Sequence, residues 1–351
     1  MITSISASSE LKPPSPPKKE FINYIHNFRG LAILFVVACH LIIQWPEGSF
    51  TGKFLIVLTG NATVLFVFIA GYLFQHLSKK FEYKSYLVKK LQNVILPYFI
   101  ISIPIIVYRL YSNDYSDYIL EPHPDFAAWP LWERLSYFLL RGAHMKPLWF
   151  VPMISLFYLA APLFIYIDRH PKLYYLLIAV CGVSFFVARE PLSDIPKMFV
   201  HFFSVYLFGM FMSRYKQQYL VFAKRWYLPL TVLTLLAFAA NVAFNEEWGF
   251  PLNYLHKMLF CCCFLYWLYK LDRYVPSFFS MVADLSFGLF FLHYYALLVI
   301  KEVYERKAGH PIPGTLLYWT LDLVLILAGT ILFIKAVKKL FPKYSRYLIG
   351  C

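Results

Sequence analysis

Phe150-Val151-Pro152-Met153-Ile154-Ser155-Leu156-Phe157-Tyr158-Leu159-Ala160-Ala161-Pro162-Leu163-Phe164-Ile165-Tyr166-Ile167 runs for 18 residues without a charge, and Leu173 to Ala188 does so for 16 more. Wound as helices, runs of about this length reach across the hydrocarbon core of a bilayer. Joined by Asp168-Arg169-His170-Pro171-Lys172, they read as a pair of membrane helices. Composition extends that reading to the whole chain. Its 351 residues are 60% hydrophobic, 20% aromatic and 15% charged, with a mean hydropathy of +0.57, whereas a soluble domain is about half apolar and about a quarter charged. The fold class expected is therefore an all-α, multi-pass integral membrane protein.

The apolar pattern predicts about ten transmembrane helices, at 27–45, 52–76, 94–111, 148–167, 173–188, 198–213, 226–244, 252–269, 280–300 and 315–334. Cytoplasmic flanks of membrane helices hold an excess of Lys and Arg. With the N-terminus inside, the inner segments hold 21 of the 33 basic residues, the outer loops hold 9, and Arg29, Arg109 and Lys257 lie within helices. Acidic residues gather in one outer segment, at Asp114, Asp117, Glu121, Asp125 and Glu133. Both termini are expected in the cytoplasm. Residues 1–20, rich in Ser, Pro and Lys, read as a disordered cytoplasmic tail without the apolar core of a signal peptide. Residues 21–340 form the membrane domain, and 341–351 a short cytoplasmic tail. The segment 112–147 is the one long outer connection, with an aromatic, partly amphipathic stretch at Trp129, Trp132, Tyr137 and Phe138.

Several function classes are excluded at this level. The net charge of +14 is spread between apolar blocks, so it reads as membrane orientation and not as a nucleic-acid surface. No Walker A pattern, Gly-x-Gly-x-x-Gly or internal repeat is present. Five of the six cysteines, Cys39, Cys181, Cys261, Cys262 and Cys263, fall in apolar blocks, and no zinc-type Cys-x-x-Cys pair occurs, so they read as small core hydrophobes and no metal site is expected.

An ionisable side chain inside a bilayer costs about 2.5 to 3.5 kcal/mol on insertion scales, so each one needs a reason. Here they are Arg29, His40, Arg109, His201, His256, Lys257, Asp284, His293 and Asp322. Arg29 and His40 are eleven positions apart, which on an α-helix is about three whole turns and about 16 Å of rise. They share one face, Arg29 toward the cytoplasmic mouth and His40 deeper in. A pantetheine arm has a similar reach, so a donor held by its phosphates near Arg29 would present its thioester near His40. Snorkelling to lipid headgroups is the plainer explanation of Arg29, and an interhelical hydrogen bond that of His40. Lys257 and Arg109 lie close enough to outer helix ends to snorkel.

The context Asn27-Phe28-Arg29-Gly30-Leu31-Ala32-Ile33-Leu34-Phe35-Val36-Val37-Ala38-Cys39-His40 resembles the opening helix of the acyltransferase 3 family, with its Arg, ten residues, then His. Thr63 to Tyr72, Ile95-Leu96-Pro97-Tyr98, Leu148 to Leu163 and Leu285 to His293 resemble later helices of that family, in order, so the likeness covers residues 22 to 335. Ala70, Phe287 and the Lys89-Lys90 pair depart from the Ser, Tyr and arginines usual there. The resemblance implies ten core helices and an acyl-CoA co-substrate, acetyl-CoA in the simplest case, with no tightly bound cofactor. It also implies transfer of the acyl group to a hydroxyl of a cell-surface or exported polysaccharide, or of its lipid-linked precursor. A protein of this kind sits in the inner membrane, with polysaccharide synthesis or export machinery as partner.

Acyl transfer needs a base for the acceptor's proton and a positive or hydrogen-bonding group for the developing oxyanion. His40 is the expected base, a covalent acyl-imidazole being the other chemistry open to it, and Arg29 the expected donor-binding and catalytic partner. Lys89 and Lys90 are further donor contacts; His293, with Ser286 seven positions earlier, and Trp149, His201 and Asp322 are candidates to line the substrate site. A transporter or flippase of glycan or lipid-linked sugar is the rival class, but neither paired half-repeats nor broken helices are evident in the sequence.

Overall fold

The computed structural model describes residues 22–115, 123, 125–187, 189 and 194–351, with the side chains of 245–250 left aside. The tail expected over 1–20 lies outside the described residues, as do Asp117 and Glu121. Among the described residues the chain is helical, and its one β feature is an isolated bridge between Gln44 and Pro313.

The helices in order are α1 (Asn23–Cys39), α2 (Phe50–Thr59), α3 (Thr63–Leu77), α4 (Tyr83–Lys90), α5 (Leu96–Ser112), α6 (Leu131–Arg141), α7 (Phe150–Leu159) and α8 (Ala161–Arg169). They continue with α9 (Leu176–Phe186), α10 (Ile195–Arg214), α11 (Lys216–Ala243), α12 (Asn245–Lys270), α13 (Ser277–Asp284), α14 (Ser286–Ala308), α15 (Leu316–Leu340) and α16 (Ser345–Ile349). Each of the ten expected segments contains helix, but the first, expected over 27–45, ends at Cys39, and residues 40–45 form an irregular stretch that includes the Gln44 bridge. Six helical units are long and apolar enough to cross a membrane: Phe50–Lys80, Tyr83–Ser112, Ile195–Arg214, Lys216–Ala243, Ser286–Ala308 and Leu316–Leu340. The bent unit Lys146–Arg169 makes a seventh if taken as one span. The remaining three expected spans are shorter or more polar: α1 has 17 residues and carries Asn27 and Arg29, Pro171–Phe186 is a short apolar helix, and α12 carries Asn253, His256 and Lys257.

The stretch 150–167 is not the continuous rod its composition suggests. α7 and α8 meet at Ala160 with a bend of 51°. Pro162, the second residue of α8, has no amide to offer the carbonyl of Tyr158, so the helical ladder breaks there. The expected span 52–76 is interrupted as well, at Gly60-Asn61-Ala62, where Asn61 takes a left-handed φ of 53°. Broken helices are thus present, contrary to the sequence reading. A third irregularity lies between α4 and α5, where Leu91–Ile95 forms a π-turn closed by the Leu96 amide on the Leu91 carbonyl. Pro97 follows and cannot supply the next ordinary α-helical donor.

Close helix approach is set by small residues. A Cβ at Gly71 of α3 would collide with the Tyr206 carbonyl of α10, and one at Gly209 of α10 with the Phe68 carbonyl of α3, so these two helices pack backbone to backbone. Gly30 does the same for α1 against the Phe279 carbonyl of α13. α1 is the hub, touching α2, α3, α12, α13 and α14. By contrast α11 and α15 expose Leu228, Val232, Leu235, Leu236, Leu321, Val324, Leu325 and Leu332, the surface that lipid covers. Residues 341–351, read from sequence as a short tail, end in α16, which packs on α5 and α14 with Ser345 and Ile349 buried.

Candidate functional site

His40 caps the C-terminal end of α1 in a near-helical conformation. Its Nδ1 lies 2.6 Å from the carbonyl oxygen of Val36, one turn back. A carbonyl only accepts, so Nδ1 carries the hydrogen and Nε2 keeps its lone pair. The Cys39 thiol shares the same carbonyl at 3.1 Å and stands 3.4 Å from Nδ1. The imidazole is thereby fixed in one tautomer with its basic nitrogen on the far side of the ring.

That ring forms part of the wall of a cavity of about 400 Å³. Beyond α1 and the residues just after it, the wall is formed by the α2–α3 break from Gly60 to Thr63 with Phe66 of α3, the turn into α7 with Lys146, Trp149 and Phe150, Arg189 in the connection before α10, and Phe290 of α14. Small-molecule sites fall in the range of about 300 to 1,000 Å³, so the space suits a sugar ring or an acyl thioester end. The α2–α3 break forms one side of it. A left-handed residue at Asn61 turns the chain so that four successive residues, Gly60 to Thr63, face the cavity. Lys257 supports this turn from α12: it is fully buried, its ammonium donates to the Leu58 carbonyl at 2.5 Å, and the rings of Phe35 and Phe260 lie 5.7 and 5.2 Å away. A cation at the C-terminal end of a helix answers both its unpaired carbonyls and its dipole. Lys257 does not snorkel. Arg109 does not either: it is buried and donates to the carbonyls of His144 (2.6 Å) and Asp114 (3.1 Å), holding the outer connection.

The other sequence candidates are distributed unevenly. Trp149 lines the cavity and stacks on Phe202 at 6.2 Å. His293 is fully buried directly behind His40, ring centroids 5.2 Å apart, with Nδ1 on the Leu289 and Phe290 carbonyls (2.8 and 3.0 Å) and no partner for Nε2 among the described residues. Ser286, His201 and Asp322 are buried but do not line the cavity. His201 Nδ1 donates to the Val187 carbonyl at 3.0 Å, which suits a helix-to-loop tie. Asp322 sits on α15 with Oδ1 buried and unpartnered among the described residues.

Arg29 lies elsewhere, half-buried near the start of α1 and off the cavity wall. Its Nη2 donates to His26 Nδ1 at 3.3 Å, and its Nε is buried without a hydrogen-bond partner among the described residues. His26 in turn donates from Nε2 to the Ser280 carbonyl (3.2 Å) and lies 3.4 Å from Asp284 Oδ1. Arg29 and His40 thus lie on one helix, Arg29 in its first half and His40 at its C-cap, about 16 Å apart by helical rise. Lys89 is exposed, while the Lys90 ammonium lies over the rings of Tyr158 (4.7 Å) and Tyr86 (5.3 Å). The residues that sequence reasoning missed are Arg189, Lys146 and Asn61, read there only as loop or mid-span positions. Nothing in their local sequence distinguishes them; the α2–α3 break, the turn into α7 and the connection before α10 bring them to His40.

A half-buried histidine with one ring nitrogen held on a backbone carbonyl, set on the wall of a cavity of about 400 Å³ in a multi-pass helical body, is an arrangement able to exchange a proton with a bound small molecule. Residues 22–335 match the family model described as an acyltransferase domain, and the chain belongs to the acyltransferase 3 family. It is a membrane acyltransferase. No curated protein and no solved structure matches it.

Proposed function

We propose that the protein transfers an acyl group, acetyl in the simplest case, from cytoplasmic acyl-CoA to a hydroxyl of a cell-surface or exported polysaccharide or its lipid-linked precursor. The observation that carries this reading is His40, with Nδ1 pinned to Val36 and the ring on the cavity wall. In this scheme the donor's phosphates rest at Arg29, and the pantetheine arm follows α1 to present the thioester at His40. Nε2 takes the proton of the acceptor hydroxyl as its oxygen attacks the thioester carbonyl. The tetrahedral intermediate then collapses, the C–S bond breaks, and the departing thiolate receives the proton back from Nε2. Ten spans, cytoplasmic termini and an inner-membrane location belong to the same reading, as does a partnership with polysaccharide synthesis or export machinery.

Purified protein given acyl-labelled acyl-CoA and candidate glycans should transfer the label to sugar. His40→Gln keeps a hydrogen-bonding side chain but has no titratable imidazole, so it should insert and bind donor normally while transfer falls by about 10²- to 10⁴-fold. Transfer near the wild-type rate at equal protein level would remove His40 as the base and turn attention to His293. The broken helices at the cavity also suit a transporter. In that case the sugar would cross a proteoliposome membrane without acquiring label.

A further inference from the structure

We propose that the groove between α14 and α15 binds one anionic glycerophospholipid, with an acyl chain laid along α14 and the phosphate-bearing headgroup at Lys307. The groove has a volume of about 500 Å³ and is lined chiefly by Val299, Ile300, Val303, Tyr304 and Lys307 of α14 and Leu325 of α15. Spaced by three and four, the α14 residues form one stripe that climbs about 12 Å along the helix. Its polarity changes over that length. Val299, Ile300, Val303 and Leu325 make one end hydrocarbon, whereas Tyr304 and then Lys307, next to last in α14, close the other. The Tyr304 ring meets that of Tyr318 on α15 at 5.9 Å, an aromatic pair of the kind that sits between hydrocarbon and headgroups in a bilayer. A molecule that fits is apolar at one end and charged at the other, in the order in which a lipid presents tail and headgroup.

The charge of Lys307 is open to such a ligand. The acidic residues of this stretch are engaged with other cations, Glu302 with Arg306 at 2.6 Å and Glu305 with Lys301 at 3.7 Å, and Lys307 has neither an ion pair nor a hydrogen bond among the described residues. It is not needed at the helix end, where Gly309, at a left-handed φ of 75°, returns its amide to the Glu305 carbonyl. Val299, Val303 and Leu325 are exposed and continue onto Leu321, Val324 and Leu332, the face of α15 that lipid covers, so a bilayer lipid is the molecule with access to the groove. A basic residue at the end of a groove between membrane helices favours a headgroup with net negative charge. The site is independent of the acyltransfer reading and of the side of the membrane on which α14 ends.

The test uses the full chain in nanodiscs that contain a trace of a lipid with a photoactivatable diazirine on its acyl chain, carrying either a phosphatidylglycerol or a phosphatidylethanolamine head. After illumination the labelled peptides are mapped by mass spectrometry, with the exposed face of α11 around Leu235 as the reference for general lipid contact. Relative to that reference, the phosphatidylglycerol probe should label residues 299–308 and the segment around Leu325 about fivefold more than the phosphatidylethanolamine probe, the preference expected of one basic residue beside an anionic headgroup. The preference should disappear in Lys307→Gln, survive in Lys307→Arg and shrink as salt rises. Lys307 is exposed, so neither substitution disturbs the packing of α14. Equal labelling by the two probes would overturn the proposal, as would a preference that is unchanged in Lys307→Gln. Absence of label from both segments would overturn it too, and would place protein, such as a second copy of the chain, over the groove.

Discussion

At the scale of single residues, the proposed function divides its work between two positions on α1, His40 and Arg29. His40 has its acidic nitrogen occupied and its basic nitrogen free of that contact, the condition for a general base. Arg29 has one long hydrogen bond, to His26, and a buried Nε with no partner among the described residues. A guanidinium left with unused donors is poised for a phosphate, whose oxygens match its fork. Arg29→Ala should weaken acyl-CoA binding by about one to two powers of ten, the worth of a charge-assisted contact, with insertion and folding intact, and Arg29→Lys should recover part of it. Titration of labelled acyl-CoA onto the purified variants decides this. Unchanged affinity in the alanine variant would make Arg29 a headgroup-anchoring residue. Lys90 suits the proposed donor contact less well, because its ammonium is engaged with Tyr158 and Tyr86.

At the scale of elements, the interruptions matter more than the helices. The Asn61 turn and the Lys146–Trp149 entry to α7 put backbone and short polar side chains where a straight helix would have filled the space, and Lys257 and Arg109 answer carbonyls near these places. The outer connection is clamped by His144, fully buried in the loop after α6, with Nδ1 donating to the Phe138 carbonyl at 2.9 Å and Nε2 2.7 Å from Ser102 Oγ. Burial pushes this imidazole down to about 3 from its ordinary 6.5. Its folded-state value is the lower one, so the unfolded chain takes up the proton first, and the stabilising contribution of the clamp is complete above pH 6.5 and lost as pH falls from there toward 3. Thermal unfolding in nanodiscs should show the wild type losing more stability between pH 7.5 and 5 than His144→Gln does. Parallel losses in the two proteins would show that His144 is not the titrating group.

At the scale of the whole molecule, orientation is the property with the widest consequences, since it sets which compartment supplies each substrate. The split of basic residues, 21 on one set of connections against 9 on the other, predicts both termini inside. Reporters fused after Cys351 and inserted in the exposed turn at Asn113 should therefore report opposite compartments. A shared compartment would refute the layout of ten spans with both ends inside. The bilayer itself completes the molecule: the apolar faces of α11 and α15 have no protein cover among the described residues, and lipid supplies it.

The sequence by itself determined the class of fold and the family. Long charge-free runs admit only helices in a bilayer, because the backbone must satisfy its own hydrogen bonds there, and the order of motifs from Arg29 to His293 set the family before any packing was known. It also put Arg29 and His40 on one helical face, since spacing alone fixes rotation and rise. The tertiary structure decided the rest. Whether the run from Phe150 to Ile167 stays straight depends on what packs around Pro162, which leaves the Tyr158 carbonyl without its helical donor, and here the run bends by 51° at Ala160. Whether Lys257 reaches lipid or a neighbouring carbonyl depends on what α12 faces, and it faces Leu58. Arg189 and Lys146 are 43 positions apart and each is far in sequence from His40. Only the folding of α1, α2 and α7 around a common space puts them on one wall, because proximity between distant segments is a property of packing and leaves no mark in the local sequence of any of them.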